Sequence, residues 1–124
     1  MNRLSYQEAK ERVHDLDFRR LHTRVLDLDI SAKTLENYKD FLQLKAMYPD
    51  RDLVPTPCID IVWHEHILDT RVYTDHCNYV FGEYLHHDPT VGLVGHPITS
   101  TQHATNFLET CKLFKEIFNK EFNV

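Results

Sequence analysis

Residues 54–92, VPTPCIDIVWHEHILDTRVYTDHCNYVFGEYLHHDPTVG, decide how the chain is read. Thr56-Pro57 marks a helix start. The threonine oxygen can cap a free N–H, and proline suits the first helical position, where no N–H is needed. Ile59, Val62, Trp63 and Ile67 follow at helical spacing. Asp69-Thr70 are weak helix formers and good caps. One helix is therefore expected to end near Leu68 and the next to run from Thr70 to about Leu85. Tyr73, Cys77, Val80, Phe81 and Tyr84 form the inward stripe of that second helix. Gly82 falls inside it, at a cost of about 1 kcal/mol relative to alanine, which a close backbone contact would explain.

Working outward, residues 1–30 read as one bent helix or two short ones, ending near Asp29. Ser5 and Glu8 form a capping-box pattern, and Leu16, Leu21, Val25 and Leu28 recur among basic residues. Arg19, Arg20 and Arg24 read as a solvated face. Ser31, with Thr34 as a rival, caps a helix carrying the stripe Leu35, Tyr38, Phe41 and Leu42, which Pro49 and Asp50 close. Residues 86–100, HHDPTVGLVGHPITS, hold two of the three glycines and two prolines and read as a long surface loop. A final helix from Thr101 to about Phe122 presents Phe107, Cys111, Phe114, Ile117 and Phe118 to the core. No strand alternation appears. The expected fold is all-α, a single-domain bundle of about five helices spanning residues 1–124.

The 124 residues, 42% hydrophobic and 27% charged, suit one globular domain. A net charge of −5 with histidines neutral speaks against a nucleic-acid face, which needs clustered lysine and arginine. No apolar run approaches the ~20 residues of a membrane span. Cys58, Cys77 and Cys111 are odd in number, scattered and without a CxxC pair. With no signal peptide read at the start, reduced thiols and a cytoplasmic location are expected. All three cysteines read as packed apolar residues.

Chemistry is expected in the same central stretch. It holds His64, His66, His76, His86 and His87, five of the nine histidines, together with Trp63 and the carboxylates Asp60, Asp69, Asp75 and Asp88. Asp60 and His64 are four apart and share a helical face. His64 and His66 are two apart, about 200° around a regular helix, and cannot both face one ion there. The expectation is that His64, His66, His76, His87 and Asp60 converge from facing helices on a divalent metal, zinc or iron. The spacings match no standard zinc motif. In a metalloenzyme, Tyr73 or Glu65 would serve as acid or base. The alternatives are a structural hydrogen-bond network, with the 88–100 loop contacting a protein partner, and a metal-free catalytic or small-molecule site. Titrating histidines would also make the protein pH-responsive.

A resemblance then enters. YKDFLQL (38–44), VPT (54–56), ID-x-x-WH-x-HILDT (59–70), Tyr73, FG-x-x-LHH-x-P (81–89), Gly92, Gly95 and FLET-x-x-LF (107–114) resemble the glycine-rich-domain-containing-protein-like family over residues 35–118. This chain has only the family's helical domain, without the glycine-rich tail. The resemblance implies an all-helical domain without an established activity, its polar signature falling on Asp60, Trp63, His64, His66, Tyr73 and His87. It also implies that His76 stands where that family usually has aspartate, with Asp75 beside it to take the role. Asp88, Thr90 and Val91 would replace its aromatic residues. Trp63, Tyr73, Asp75 and His86 are the supporting residues of the expected site.

Overall fold

Helix starts are set by side chains that accept orphan backbone N–H groups. In the computed structural model, which describes residues 2–122, Ser5 Oγ accepts from the Glu8 N–H and starts α1, Tyr6–His14. After a break, α2 runs Arg19–Asp27. Ser31, not Thr34, caps α3, Ala32–Met47. Thr56 caps α4, Pro57–Leu68, with proline in its first turn. Asp69 ends α4 and leads directly into α5, Thr70–Phe81. Thr99 caps α6, Ser100–Phe118. No strand occurs among the described residues, so the chain is all-helical, with six helices where about five were expected. The N-terminal stretch forms two short helices.

Two helix ends differ from the sequence reading. Gly82 is not inside α5. It sits at its end with φ +75°, the left-handed conformation glycine adopts without a Cβ penalty, and so terminates the helix at Phe81. Asn119, φ +55°, stops α6 in the same way. Tyr84 therefore lies beyond α5 and is exposed. The backbone then turns back, and Phe122 packs on Phe114 with ring centroids 4.6 Å apart.

Helix α3 is the centre. Residues 41–44 are buried in succession, which covers the helix on every side. It packs against α1, α2, α4 and α6, while α4 also packs against α2 and α5. Tyr38, Phe41, Leu44, Val62, Tyr73 and Phe114 lie in one continuous core. Burying each such side chain stabilises by roughly 1.5–3 kcal/mol. Thr110 of α6 ties the 48–56 connection to the core. Its hydroxyl donates to the Asn106 carbonyl and accepts from the Val54 N–H at 3.0 Å.

The arginines of α2 are exposed but paired rather than merely solvated. Arg19 pairs with Asp17, Arg20 with Asp69 and Arg24 with Glu65. Exposed pairs of this kind contribute about 0–1 kcal/mol each, so they set the seating of α2 on α4 more than its stability. Of the three free cysteines, Cys77 is buried and Cys111 half-buried, whereas Cys58 is exposed and not packed as expected. Among the described residues, no helix is long and apolar enough to cross a membrane.

Candidate functional site

Helix α4 distributes its polar residues around its axis at about 100° per residue. His66 points into the core and is 2% exposed. His64, two positions earlier, lies in solvent, as the spacing requires. Asp60 and Trp63 occupy the preceding turns and face the end of the 82–99 loop.

The buried imidazole belongs to a chain whose protons can be placed. Tyr38 is wholly buried, and its Oη lies 2.6 Å from His66 Nδ1. Burial raises the phenol's pKa, so the O–H stays protonated and donates to Nδ1. The remaining proton of His66 is then on Nε2, which lies 2.8 Å from His76 Nδ1. His76 accepts there and carries its own proton on Nε2. The edge of the Phe18 ring closes over both imidazoles, at centroid distances of 5.5 and 5.4 Å. Burial, and then the neighbouring His76 charge, lower the His66 pKa to about 3. Burial also lowers that of His76, against the opposing pull of Asp17, Asp75 and Asp69. Both rings are neutral at ordinary pH.

A second chain starts from Trp63. Its indole N–H donates to Tyr73 Oη at 3.0 Å, and Tyr73 donates to the Leu85 carbonyl at 2.5 Å. Burial raises the Tyr73 pKa, so the phenol remains a donor and not a base. These two bonds pin the chain just after α5. Two residues on, His87 lies flat on the Trp63 ring, with centroids 4.1 Å apart and planes 7° from parallel. Its Nε2 sits 2.6 Å from Asp60 Oδ1. An imidazole nitrogen that close to a carboxylate carries a proton there, so in the neutral ring the lone pair is on Nδ1. Among the described residues, Nδ1 has no hydrogen-bond partner.

Asp60, Trp63 and His87 form one wall of a cleft of about 670 Å³. The other walls are the end of α3 at Lys45, the segment from Asp52 to Pro57, the loop around Asp88–Ile98, and His103, Asn106 and Phe107 of α6. The loop is held in shape by Asp88, which accepts from the Thr90 N–H and hydroxyl and from His96 Nε2 at 2.7 Å. His96 Nδ1 in turn accepts from the Ile98 N–H. Gly92, at φ +82°, lies against the His103 side chain, and a Cβ there would come within 3.3 Å of its Cβ and of two of its ring atoms. His103 Nδ1 is the one buried side-chain polar atom without a partner among the described residues.

The expected metal-site residues thus fall into two groups and one outlier. His66 and His76 meet in the core, Asp60 and His87 meet at the cleft, and His64 is exposed and meets neither. Trp63 and Tyr73 connect the groups, since Tyr73 also presents an edge to His66 at 4.8 Å. His86 is exposed at the cleft rim beside Tyr84, and Asp75 is an exposed neighbour of His76. Glu65 is occupied by Arg24. Among the described residues, no three His, Cys, Asp or Glu side chains are arranged to hold a metal ion. Lys45 and His103 were not read as site residues. They lie on helices distant in sequence, and spacing alone carries no sign that they join the cleft.

No curated protein and no solved structure matches the chain. One family model does match, that of the UCP032817-like family, over residues 6–119, and no glycine-rich domain family matches. The resemblance to the glycine-rich-domain-containing-protein-like family is corrected accordingly, and the departures read against it at His76, Asp88, Thr90 and Val91 lose their reference. With all but the first five and last five residues matched, the chain belongs to the UCP032817-like family.

Proposed function

We propose that this protein binds a small molecule in the cleft between α4, the 82–99 loop and α6, with Asp60 and His87 as the pair that exchanges a proton with it. The observation that carries this reading is the stacking of His87 on Trp63 with Nε2 held at Asp60. A carboxylate that fixes the tautomer and orientation of an imidazole prepares its second nitrogen as a base. The cleft has the volume of a typical small-molecule site, and its mixture of apolar walls with a few polar groups is the usual composition. A divalent metal, zinc or iron, finds less support. Such a site needs three or four converging donors, and the nitrogens shared by His66 and His76 already bond to each other and to Tyr38.

The test is a panel of small metabolites screened by two-dimensional NMR of the labelled protein. Trp63 is the sole tryptophan and gives one indole N–H resonance. At least one compound should move that resonance saturably, and His87→Ala and Asp60→Asn should each weaken its binding. A panel that leaves the Trp63 resonance unmoved at millimolar concentration overturns the reading.

A second reading, a protein-interaction module, is favoured by the loop tip. Leu93 and Val94 are both largely exposed there, Val94 completely. Under that reading Val94→Asp abolishes capture of a partner and leaves small-molecule binding at the cleft intact.

A further inference from the structure

Among the described residues that line the cleft, the charged side chains are not all engaged by a direct partner, and the one lysine, Lys45, gives the ligand a sign. Asp60 is held by His87, and Asp88 by His96 and Thr90. Lys45 has no carboxylate partner among the described residues. Its amine makes one long contact, 3.5 Å, to the Arg51 carbonyl. Asp52 is close enough to act on Lys45 through space but does not pair with it. A half-buried ammonium without a directly bonded carboxylate is an arrangement that a bound anion would improve.

Neutral donors point the same way. Asn106 is buried, and its oxygen accepts from Gln102 Nε2 at 2.8 Å, which leaves its NH₂ as a donor with no partner among the described residues. Beside these groups the apolar side chains Val54, Pro57, Trp63 and Phe107 line the cleft, the last two with planar rings. One lysine among the described lining residues suits a ligand with a single negative charge. A dianionic phosphate would leave a charge unanswered, because the remaining carboxylates of the cleft would repel it.

Resting on the reading of this cleft as a small-molecule site, we infer that its ligand is an organic monocarboxylate with a flat apolar body, its carboxylate seated on Lys45 and Asn106 and its body beside Trp63. In this placement the carboxylate and the Asp60–His87 pair lie on different walls of the cleft. The proton exchanged with His87 then comes from the body of the ligand and not from its acid group, which is already ionised at neutral pH.

The probes are 1-naphthoate, 1-naphthyl phosphate and 1-naphthalenemethanol. They share one ring system and carry one, about two and no negative charges. Binding is read from the Trp63 indole N–H resonance in the wild type, in Lys45→Met and in Lys45→Arg, with each variant's fold checked by circular dichroism. The expected result is saturable binding of 1-naphthoate, at least tenfold tighter than the alcohol and tighter than the phosphate. Lys45→Met should remove that preference, and Lys45→Arg should keep most of it. Equal affinity for acid and alcohol, or a preference unchanged in Lys45→Met, overturns the inference and leaves the cleft reading standing. A preference for the phosphate overturns the monocarboxylate assignment. If none of the three moves the Trp63 resonance while a compound of the metabolite panel does, the carboxylate inference alone fails. If nothing moves it in either experiment, both fail.

Discussion

His66 Nε2 lies 2.8 Å from His76 Nδ1, and the direction of that bond is set from the other end of the His66 ring by Tyr38. A buried phenol with a single partner satisfies its O–H only by donating to it, so His66 accepts at Nδ1 and donates at Nε2. The tautomers of two neutral histidines are therefore fixed by one tyrosine on another helix. Protonating His76 at Nδ1 breaks the bond to His66, and protonating His66 at Nδ1 sets two donors against each other.

This arrangement makes stability depend on pH with a definite sign. In the unfolded chain His66 titrates near 6.5, whereas in the fold its pKa is lowered to about 3. Between those values the unfolded chain binds a proton that the folded chain refuses. Stability is then fully present above pH 6.5 and is lost as pH falls toward 3. His76, also lowered, adds to the loss in the same direction. Urea unfolding at pH 7.5, 5.5 and 4.5 should show a progressive fall, in total on the order of a few kcal/mol. His66→Gln should be less stable at pH 7.5 and have a flatter profile. The exposed carboxylates Asp17 and Asp88, with pKa values lowered to about 2, lose their partners only at more acid pH.

Tyr38→Phe isolates the polar part of the same contact. The ring and its packing remain, and only the hydroxyl goes, leaving His66 Nδ1 buried without a donor. An orphaned buried acceptor costs about 1–3 kcal/mol. The denaturant midpoint should fall by that amount with the slope unchanged. The His76 ring should also become easier to protonate, because His66 is then free to move its remaining proton to Nδ1 and accept at Nε2. An NMR titration of the His76 ring protons reads that shift directly, and an unmoved midpoint would contradict the assignment.

Much of the frame was legible because helix starts are local chemistry. Ser5, Ser31 and Thr56 each cap the helix their sequence context implied, since the capping bond spans three residues. Helix ends were less legible. Gly82 reads from the sequence as an interior glycine, and only its positive φ shows that it terminates the helix. The candidate site divides along the same line. Asp60, Trp63, His66, Tyr73, His76 and His87 all stood out in one stretch, and all make specific polar or stacking contacts. Their partition into a core network and a cleft wall depends on Tyr38, 28 residues before His66. Lys45 and His103 are brought to the cleft by α3 and α6, and no periodicity within either helix announces that meeting.

Gly92 and Gly95 both have positive φ, +82° and +89°, and separate two effects of adding a side chain. At Gly95 an added Cβ meets nothing within 4 Å, so Gly95→Ala tests backbone strain alone, about 1–2 kcal/mol. At Gly92 the same strain is joined by contact with the His103 ring. Gly92→Ala should therefore be the more destabilising in thermal unfolding. It should also displace His103, so that its ring resonances shift in Gly92→Ala and stay in place in Gly95→Ala. Equal effects would mean that the loop does not rest on His103.

Tyr73→Phe tests whether the core sets the geometry of the cleft. Tyr73 Oη accepts from the Trp63 indole and donates to the Leu85 carbonyl, so removing it leaves two buried groups unpaired. The stability loss should lie at or above the upper end of the ~1–3 kcal/mol expected for one such group. The more specific consequence is at a distance. With the Leu85 carbonyl released, the segment that places His87 on Trp63 loses its anchor. In the wild type, the His87 ring protons over the indole face should resonate upfield, because the rings are stacked at 4.1 Å. In Tyr73→Phe they should move toward ordinary histidine positions, and affinity for any cleft ligand should fall with them. If stability falls while the His87 resonances stay upfield, Asp60 and the indole hold His87 without help from the core.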